Sequence, residues 1–368
     1  MIQAAPDLIR LQAHRSVYSM VSKFIKDEQL REAFSFHSLL VGGNPFKSSS
    51  IYTLIHYLER SWGVWFPKGG THALVRAMVK LFEDLGGKIR YGAEVEEILT
   101  QGPRGKGVVH GVTLAGGEHI DADLVVSNAE VMHTYSKLLR NEPKAGLKRF
   151  ALKHSDYSMS LCLIYFGTKK KYPNMAHHTV IFGPRYKELL KDIFDNGVLA
   201  DDFSLYVHAP SRTDPSLAPP DGEAFYVLSP VPHLGKAGHI DWEKEGEIYS
   251  NKILDFLEKS YLPGLRENIV TKRVITPKYF EQELNSHLGA AFSLQPLLTQ
   301  SAYFRVKNRD PKIKGMYFVG AGTHPGAGVP GVVNSAKATA SVILSDLATA
   351  AKKSKTSDAH VPAESHAH

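Results

Sequence analysis

Apolar residues recur at helical spacing through the first part of the chain. Leu8, Leu11, Val17, Val21 and Ile25 fall three to six residues apart and predict helical structure that ends near Phe36. Residues 38–67 are dense in aliphatic and aromatic side chains, and their middle, about Ser50 to Arg60, reads as a short helix. After Gly69-Gly70, the positions Ala73, Leu74, Ala77, Met78, Leu81 and Leu85 mark one face of a helix capped by Thr71 and stopped at Gly86-Gly87. The pattern then shifts to strands: Lys88–Tyr91, Val95–Leu99, a hairpin-like pair at Val108-Val109 and Val112–Leu114, and Ala122–Ser127. Between residues 157 and 276, strands at 159–166, 179–182, 203–208, 224–229 and 270–275 alternate with helices at 186–194 and 242–261. A last apolar strand, Met316–Val319, feeds a glycine-rich loop and a helix from about Val332 to Leu347. The order predicts a mixed α/β (α+β) chain in which residues 151–300 form a separate antiparallel-sheet domain and the chain then returns to its first fold.

Composition narrows the class. The 368 residues are enough for two domains with sizeable cores, and 43% hydrophobic against 22% charged content fits a globular protein. The net charge of +7 is modest; it favours an anionic membrane surface over nucleic acid, because no basic stripe interleaved with aromatics occurs. The single cysteine, Cys162, lies in the apolar run Leu161–Phe166 and reads as a buried strand thiol, consistent with a reducing cytoplasm. The opening residues lack a basic region followed by a long apolar core, and no run reaches the ~18 apolar residues of a spanning helix, so any membrane role is expected to be peripheral.

The segment from Gly320 to Gly331 carries the most chemistry. It holds five glycines and two prolines between an apolar strand and a helix. Glycine admits positive φ and close backbone approach, and a helix start presents unpaired N–H groups and a positive dipole end. Gly326, Gly328 and Gly331 also satisfy G-x-G-x-x-G. That pattern signals dinucleotide binding only when it opens a βαβ unit with an acidic residue at a second strand. Here only a polar tail follows, so the loop reads as a cap over a cofactor whose main binding unit lies elsewhere.

The segment 320–331 resembles the carboxyl-terminal signature of bacterial-type phytoene desaturases, FAD enzymes of carotenoid synthesis. His37–Pro45, Trp65–Thr71, His177–Arg185 and Ser229–Gly235 resemble further blocks of that family, in the same order. The resemblance implies a two-dinucleotide-binding-domain flavoprotein fold, here incomplete, with an antiparallel-sheet substrate domain and a helical membrane-proximal region. In its terms, residues 1–67 are the helical, membrane-proximal and substrate region. Residues 68–150 and 301–350 are parts of the FAD-binding domain, and 351–368 are a disordered tail. It implies FAD contacts from Val95, Gly320, Ala321, Gly322, Thr323, Gly328, Val329, Pro330, Gly331 and Val332, chiefly through main-chain N–H groups. Trp65, Phe66, Gly69 and Gly70 are expected to meet substrate, and no catalytic residue is assigned. Ala321 stands where many related flavoproteins carry an acid, a departure that the desaturase branch shares.

Phytoene and other C40 intermediates are the implied substrates, with stepwise dehydrogenation toward neurosporene or lycopene. A carotenoid isomerase, a retinol saturase-like enzyme and a non-catalytic interaction subunit are the alternatives. The family's amino-terminal strand and glycine fingerprint have no counterpart here. The chain is therefore read as a truncated form, whether a gene fragment, a wrongly chosen start or a separate polypeptide with a partner chain supplying that segment, and alone it is expected to bind FAD weakly or not at all. The protein is expected in the cytoplasm, peripherally attached to the membrane; the apolar block 38–65 reads by default as core, and the resemblance adds membrane contact and a substrate tunnel as readings.

Eighteen histidines raise the question of a metal. His177 and His178 are adjacent, so in a strand they face opposite sides and do not share an ion. No metal site is expected. His324, in the glycine-rich loop, is expected to make a structural hydrogen bond.

Overall fold

The computed structural model describes residues 5–102 and 107–358. Among these the strands are β1 (Val95–Gln101), β2 (Val108–Leu114), β3 (His119–Asp121), β4 (Val125–Ser127), β5 (Ser160–Thr168), β6 (His178–Ile181), β7 (Leu205–His208), β8 (Glu223–Val231), β9 (Ile269–Ile275) and β10 (Met316–Phe318). The chain divides into two compact units, residues 1–94 with 154–300, and residues 95–153 with 301–368.

The first unit is built on a five-stranded antiparallel sheet in the order β6-β7-β8-β5-β9. Its strands match the alternating runs of the sequence because each must satisfy two apolar faces at period 2. On β5, Cys162, Ile164 and Phe166 point one way; with Phe225 and Val227 of β8 and Leu205 and Val207 of β7 they pack against the helix Trp242–Ser260. That helix starts where Asp241 accepts a hydrogen bond from the Glu243 N–H, with Glu243 and Glu245 near its positive end. It buries Trp242, Tyr249, Ile253, Leu254 and Leu257, a 3-and-4 spacing that lays one stripe on the sheet. On the opposite face, Met159 and Leu161 join Tyr186, Leu189, Leu190 and Phe280 in a second core.

The amino-terminal helical pattern is broken into Ala5–Arg10, Val17–Phe24 and Glu28–Ser35, because Ser16 and Asp27 each accept a bond from a first-turn N–H and restart a helix. The helix Thr71–Asp84 begins one residue earlier than a Thr71 cap requires: Gly70 takes the cap position at φ 80°. None of its residues is buried. Residues 68–94, expected with the cofactor domain, thus group with the first unit through chain continuity and through the Gly69 N–H, which donates to Asp214 Oδ2 at 2.6 Å. Lys88–Tyr91 forms no strand; it follows the Gly86 turn without a ladder partner.

The second unit joins the antiparallel meander β1-β2-β3 to a parallel pair, β4 with β10, in the register Met316 to Val125, Tyr317 to Val126 and Phe318 to Ser127. The free edge of β10 is closed by Asn308 and Asp310, through the bonds Phe318 N–H to Asn308 and Asp310 N–H to Met316. The outer edge of β4 pairs with no strand among the described residues. Tyr135 stacks on Phe318 with ring centroids 5.1 Å apart and donates to Asp310 Oδ2 at 2.6 Å. Asp310 Oδ1 also accepts from the Lys312 and Ile313 N–H groups at 2.7 and 2.8 Å. Burial first, and the Asp310 charge second, push the Tyr135 phenol well above its ordinary range, so it remains a donor. Tyr135→Phe is expected to lower stability by about 1–3 kcal/mol in urea denaturation, the cost of removing a bond to a charged buried acceptor.

The final helix runs Val329–Asp358. Residues 352–358, expected in the tail, are therefore helical: Ala348, Ala350 and Ala351 impose no break and Lys352 and Lys353 suit a helix. The rest of that tail, 359–368, lies outside the described residues.

Candidate active site

In the first unit, the sheet face turned away from the helix Trp242–Ser260 bounds a cavity of about 530 Å³. Leu161, Leu163 and Tyr165 of β5, Tyr226 and Leu228 of β8, and Tyr206 of β7 line it from the sheet. Phe36, Leu39 and Leu40 enter from the short helical turn Phe36–Val41, and Thr71 borders it too. Among the described residues, no Asp, Glu, Lys, Arg or His is in the lining. Burial raises the phenols of Tyr165, Tyr186, Tyr206 and Tyr226, so they stay neutral. The chamber is uncharged and suits a hydrocarbon.

The residues expected to meet substrate do not line this chamber. Trp65 is 86% exposed, and its Nε1 donates to the Trp62 carbonyl at 2.7 Å, which fixes the indole on its own chain turn. Phe66 is half-buried and presents its ring to His177 and His208, at centroid distances of 4.8 and 5.7 Å. Gly69 and Gly70, at φ 82° and 80°, form the turn that starts the helix Thr71–Asp84. The Asp214 carboxylate holds that turn; hydrogen bonds from Ser216 and then the Gly69 N–H keep it below the usual carboxylate range.

In the second unit, Val95 opens β1 opposite Leu114. The loop 320–331 follows β10. Its glycines divide into two groups. Gly320, at φ 109°, has no room for a Cβ, which would lie 2.6 Å from Asn128 Oδ1; at Gly331 a Cβ would strike the Gly326 carbonyl at 2.7 Å. Both serve the loop's own packing. At Gly326, φ 145° and itself buried, a Cβ would meet the Arg305 side chain from 3.8 Å, an ordinary contact rather than a clash.

The expected main-chain donors divide likewise. The N–H groups of Gly320, Thr323 and Val332 are taken by Ser335 Oγ, the Gly320 carbonyl and the Gly328 carbonyl. Thr323 is fully buried and returns its hydroxyl to Gly320, so its side chain serves the loop. Val329 and Gly331, in the first helical turn, have N–H groups with no intrahelical acceptor, and Pro330 has none to satisfy. A glycine-rich turn that leads into a helix start with N–H groups free of helix acceptors fits an electron-rich flavin edge. Ala321, Gly322 and Gly328 complete the arc. His324 is exposed, and its backbone is fixed by N–H donation to Val306 and by Asn308.

Sequence reasoning missed the residues that hold this arc in shape. Arg305, only 2% exposed, directs Nε and an Nη to the Ala321 carbonyl at 3.0 and 2.6 Å. Asn308 Nδ2 donates to the His324 carbonyl and to Thr339 Oγ1, both at 3.0 Å. Ser335 and Thr339, four apart on the final helix, were the one available signal: polar positions repeating on the face that meets β10.

The histidines correct an expectation. His177 and His178 are not separated by strand alternation, because the β6 ladder begins at His178 and His177 lies just outside it. With His208, the direct cross-strand partner of His178, they bring one donor nitrogen each to within 4.8 Å of one another. Burial lowers all three, His208 to about 4, so the rings are neutral. A second group joins His37, His56 and Glu59; His37 Nε2 lies 3.3 Å from Glu59, and burial, then His56, lower His37 to about 4. Cys162 is buried, its thiol pushed up to about 12 by burial, which suits a core residue.

Comparison with known proteins places these features. A family model described as flavin containing amine oxidoreductase matches residues 1–344. The chain is 58% identical over 347 residues to a lycopene-forming phytoene desaturase of Pseudescherichia vulneris, covering 94% of this chain and 70% of that protein. It is 46% identical over 346 residues to a neurosporene-forming phytoene desaturase of Rhodobacter capsulatus, covering 93% and 66%. Among solved structures, an oxidoreductase from Methanosarcina mazei superposes with a TM-score of 0.62 at 20% identity, over 89% of this chain and 68% of that one. A putrescine oxidase superposes at 0.57 and 14% identity, over 92% and 69%, which shows a shared fold. The chain thus belongs to the flavin-containing amine oxidoreductase family and, within it, to the phytoene desaturases.

Proposed function

We propose that this chain carries the substrate chamber and the flavin-facing loop of an FAD-dependent phytoene desaturase, which dehydrogenates a C40 polyene stepwise toward neurosporene or lycopene. The observation that carries this reading is the uncharged cavity against β5, β8 and β7. A polyene offers no hydrogen-bonding group, so it is held by apolar contact and exclusion of water. When bound, FAD supplies the hydride acceptor that an unactivated C–C bond requires. The residues that would hold it are Ala321, Gly322, Gly326, Gly328, Val329 and Gly331. Arg305 and Asn308 hold the arc in shape, and the Val329 and Gly331 N–H groups would stabilise negative charge on a bound flavin at the helix start.

FAD binding on this reading also needs a dinucleotide-binding segment outside this sequence, on the same polypeptide or on a partner. Support comes from the open outer edge of β4, where Val126 is exposed, since parallel strands are ordinarily covered on both faces. The helix Thr71–Asp84 likewise leaves Leu74, Val75, Met78, Leu81 and Phe82 exposed. The test is co-expression with the part of the Pseudescherichia vulneris relative that this chain does not match, followed by incubation with phytoene in liposomes. Bound flavin and coloured products by chromatography are expected. Absence of both, where the complete relative gives them, would overturn the reading.

We propose peripheral attachment to an anionic membrane, a reading supported by exposed Tyr57, Trp62, Val64 and Trp65, with Arg60 and Lys68 near them in the sequence. No helix among the described residues is long and apolar enough to cross a membrane. The double substitution Trp62→Glu, Trp65→Glu is expected to reduce partition onto anionic vesicles by about tenfold or more in a flotation assay. Unchanged flotation would place the contact elsewhere.

A further inference from the structure

The trio His177, His178 and His208 has no part in the desaturase reading. We infer that it is a binding site for a divalent transition-metal ion of the Zn²⁺ class, held by three imidazoles with a fourth position open.

The geometry is close to what such an ion requires. His177 Nε2 lies 2.8 Å from His208 Nε2. Two imidazoles on a tetrahedral ion at ~2.0–2.1 Å stand about 3.3 Å apart, so the pair opens by roughly half an ångström. His178 stacks on His208 with planes 10° apart and centroids 5.2 Å apart, and it is exposed, so its ring turns into place without disturbing the core.

Two of the three outer nitrogens are already anchored, while His208 Nδ1 is buried without a hydrogen-bond partner among the described residues. His177 Nδ1 bonds the Thr213 hydroxyl, and His178 Nδ1 bonds the Tyr206 hydroxyl at 2.6 Å. When Nδ1 donates to those oxygens, each Nε2 is left with a lone pair, the arrangement by which outer partners orient metal-bound histidines. A simple imidazole-to-imidazole hydrogen bond accounts for His177 and His208 and leaves the inner nitrogen of His178 unexplained. The Phe66 ring, edge-on to His177 and His208, closes one side. A set of nitrogen donors without a carboxylate selects Zn²⁺, Ni²⁺, Co²⁺ or Cu²⁺ over Mg²⁺ or Ca²⁺. In the group His37, His56 and Glu59 the inner nitrogens are engaged by protein oxygens: His37 Nε2 pairs with Glu59, and His56 Nε2 bonds the Phe34 carbonyl at 2.8 Å. This group serves as the control.

The test uses the full chain carrying His360→Ala, His366→Ala and His368→Ala, stripped with chelator and titrated with ZnCl₂ by calorimetry, with Co²⁺ absorption as a second readout. One equivalent is expected, with the visible bands of nitrogen-ligated Co²⁺. His177→Ala and His208→Ala are expected to weaken it by about 100-fold, Thr213→Val by about tenfold, and Glu59→Gln not at all. Circular dichroism checks folding; if the His208 variant unfolds, His178→Ala, at an exposed position, decides instead. No bound equivalent, or an equivalent that survives loss of the trio and vanishes in Glu59→Gln, overturns the assignment.

Discussion

Leu228→Glu is expected to reduce phytoene desaturation by at least about 100-fold while leaving the protein folded. Leu228 lies on β8 between Val227 and Ser229, which turn to the opposite face, so its side chain alone enters the chamber at that point. A carboxyl group there finds no cation in the lining. It either stays ionised and draws water in, or takes up a proton and leaves a polar group against hydrocarbon. Unpaired polar burial costs several kcal/mol, and about 2.7 kcal/mol is already a hundredfold. The position is half-buried at a cavity wall, so the charge reaches solvent in the empty protein and folding tolerates it. Leu228→Met, similar in volume, is expected to keep activity. Chromatography of phytoene incubated in liposomes with flavin-containing protein reads both variants. Activity of Leu228→Glu within a few-fold of the parent would remove this chamber as the polyene site.

The second large effect is expected at Arg305. Two N–H groups of its buried guanidinium converge on the Ala321 carbonyl, at the mouth of the glycine arc. Arg305→Met keeps much of the side-chain length but removes every donor. A bond to a charged donor is worth about 1.5–3 kcal/mol, and the abandoned carbonyl adds its own desolvation cost. The arc is then expected to close on itself, with flavin affinity falling at least tenfold in fluorescence titration of the co-expressed complex. Arg305→Lys is expected to fall between, since an ammonium lacks the planar fork. If Arg305→Met melts earlier yet binds flavin as tightly as the parent, the arginine is structural support alone.

Legibility in the sequence followed the range of the interactions involved. The strands β5, β7, β8 and β9 were readable because alternation reports both faces of a sheet residue by residue. The helix Trp242–Ser260 was readable because its stripe and its Asp241 cap are local. Lys88–Tyr91 has strand-like residues but no neighbour to pair with, which composition does not reveal. The glycine arc was legible as a loop; which glycines pack inward and which meet only an ordinary contact depends on Asn128 and Arg305, far away in the chain. Arg305 and Asn308 gave no local signal, because buried polar residues look like surface residues until their partners are known. The histidine trio was hidden for a similar reason: His208 joins it only through the β6–β7 register, and strand alternation pointed the wrong way.

The bare flank of β4 has a consequence for handling the molecule. A short row of unsatisfied amides and carbonyls beside Val126 is a template onto which a second copy adds its own backbone, and nothing in so brief a strand dictates which neighbour is the correct one. Concentrated solutions of the isolated polypeptide are therefore prone to sticky, poorly defined oligomers, and occupation of that flank by its proper complement protects the solution as much as it builds the enzyme.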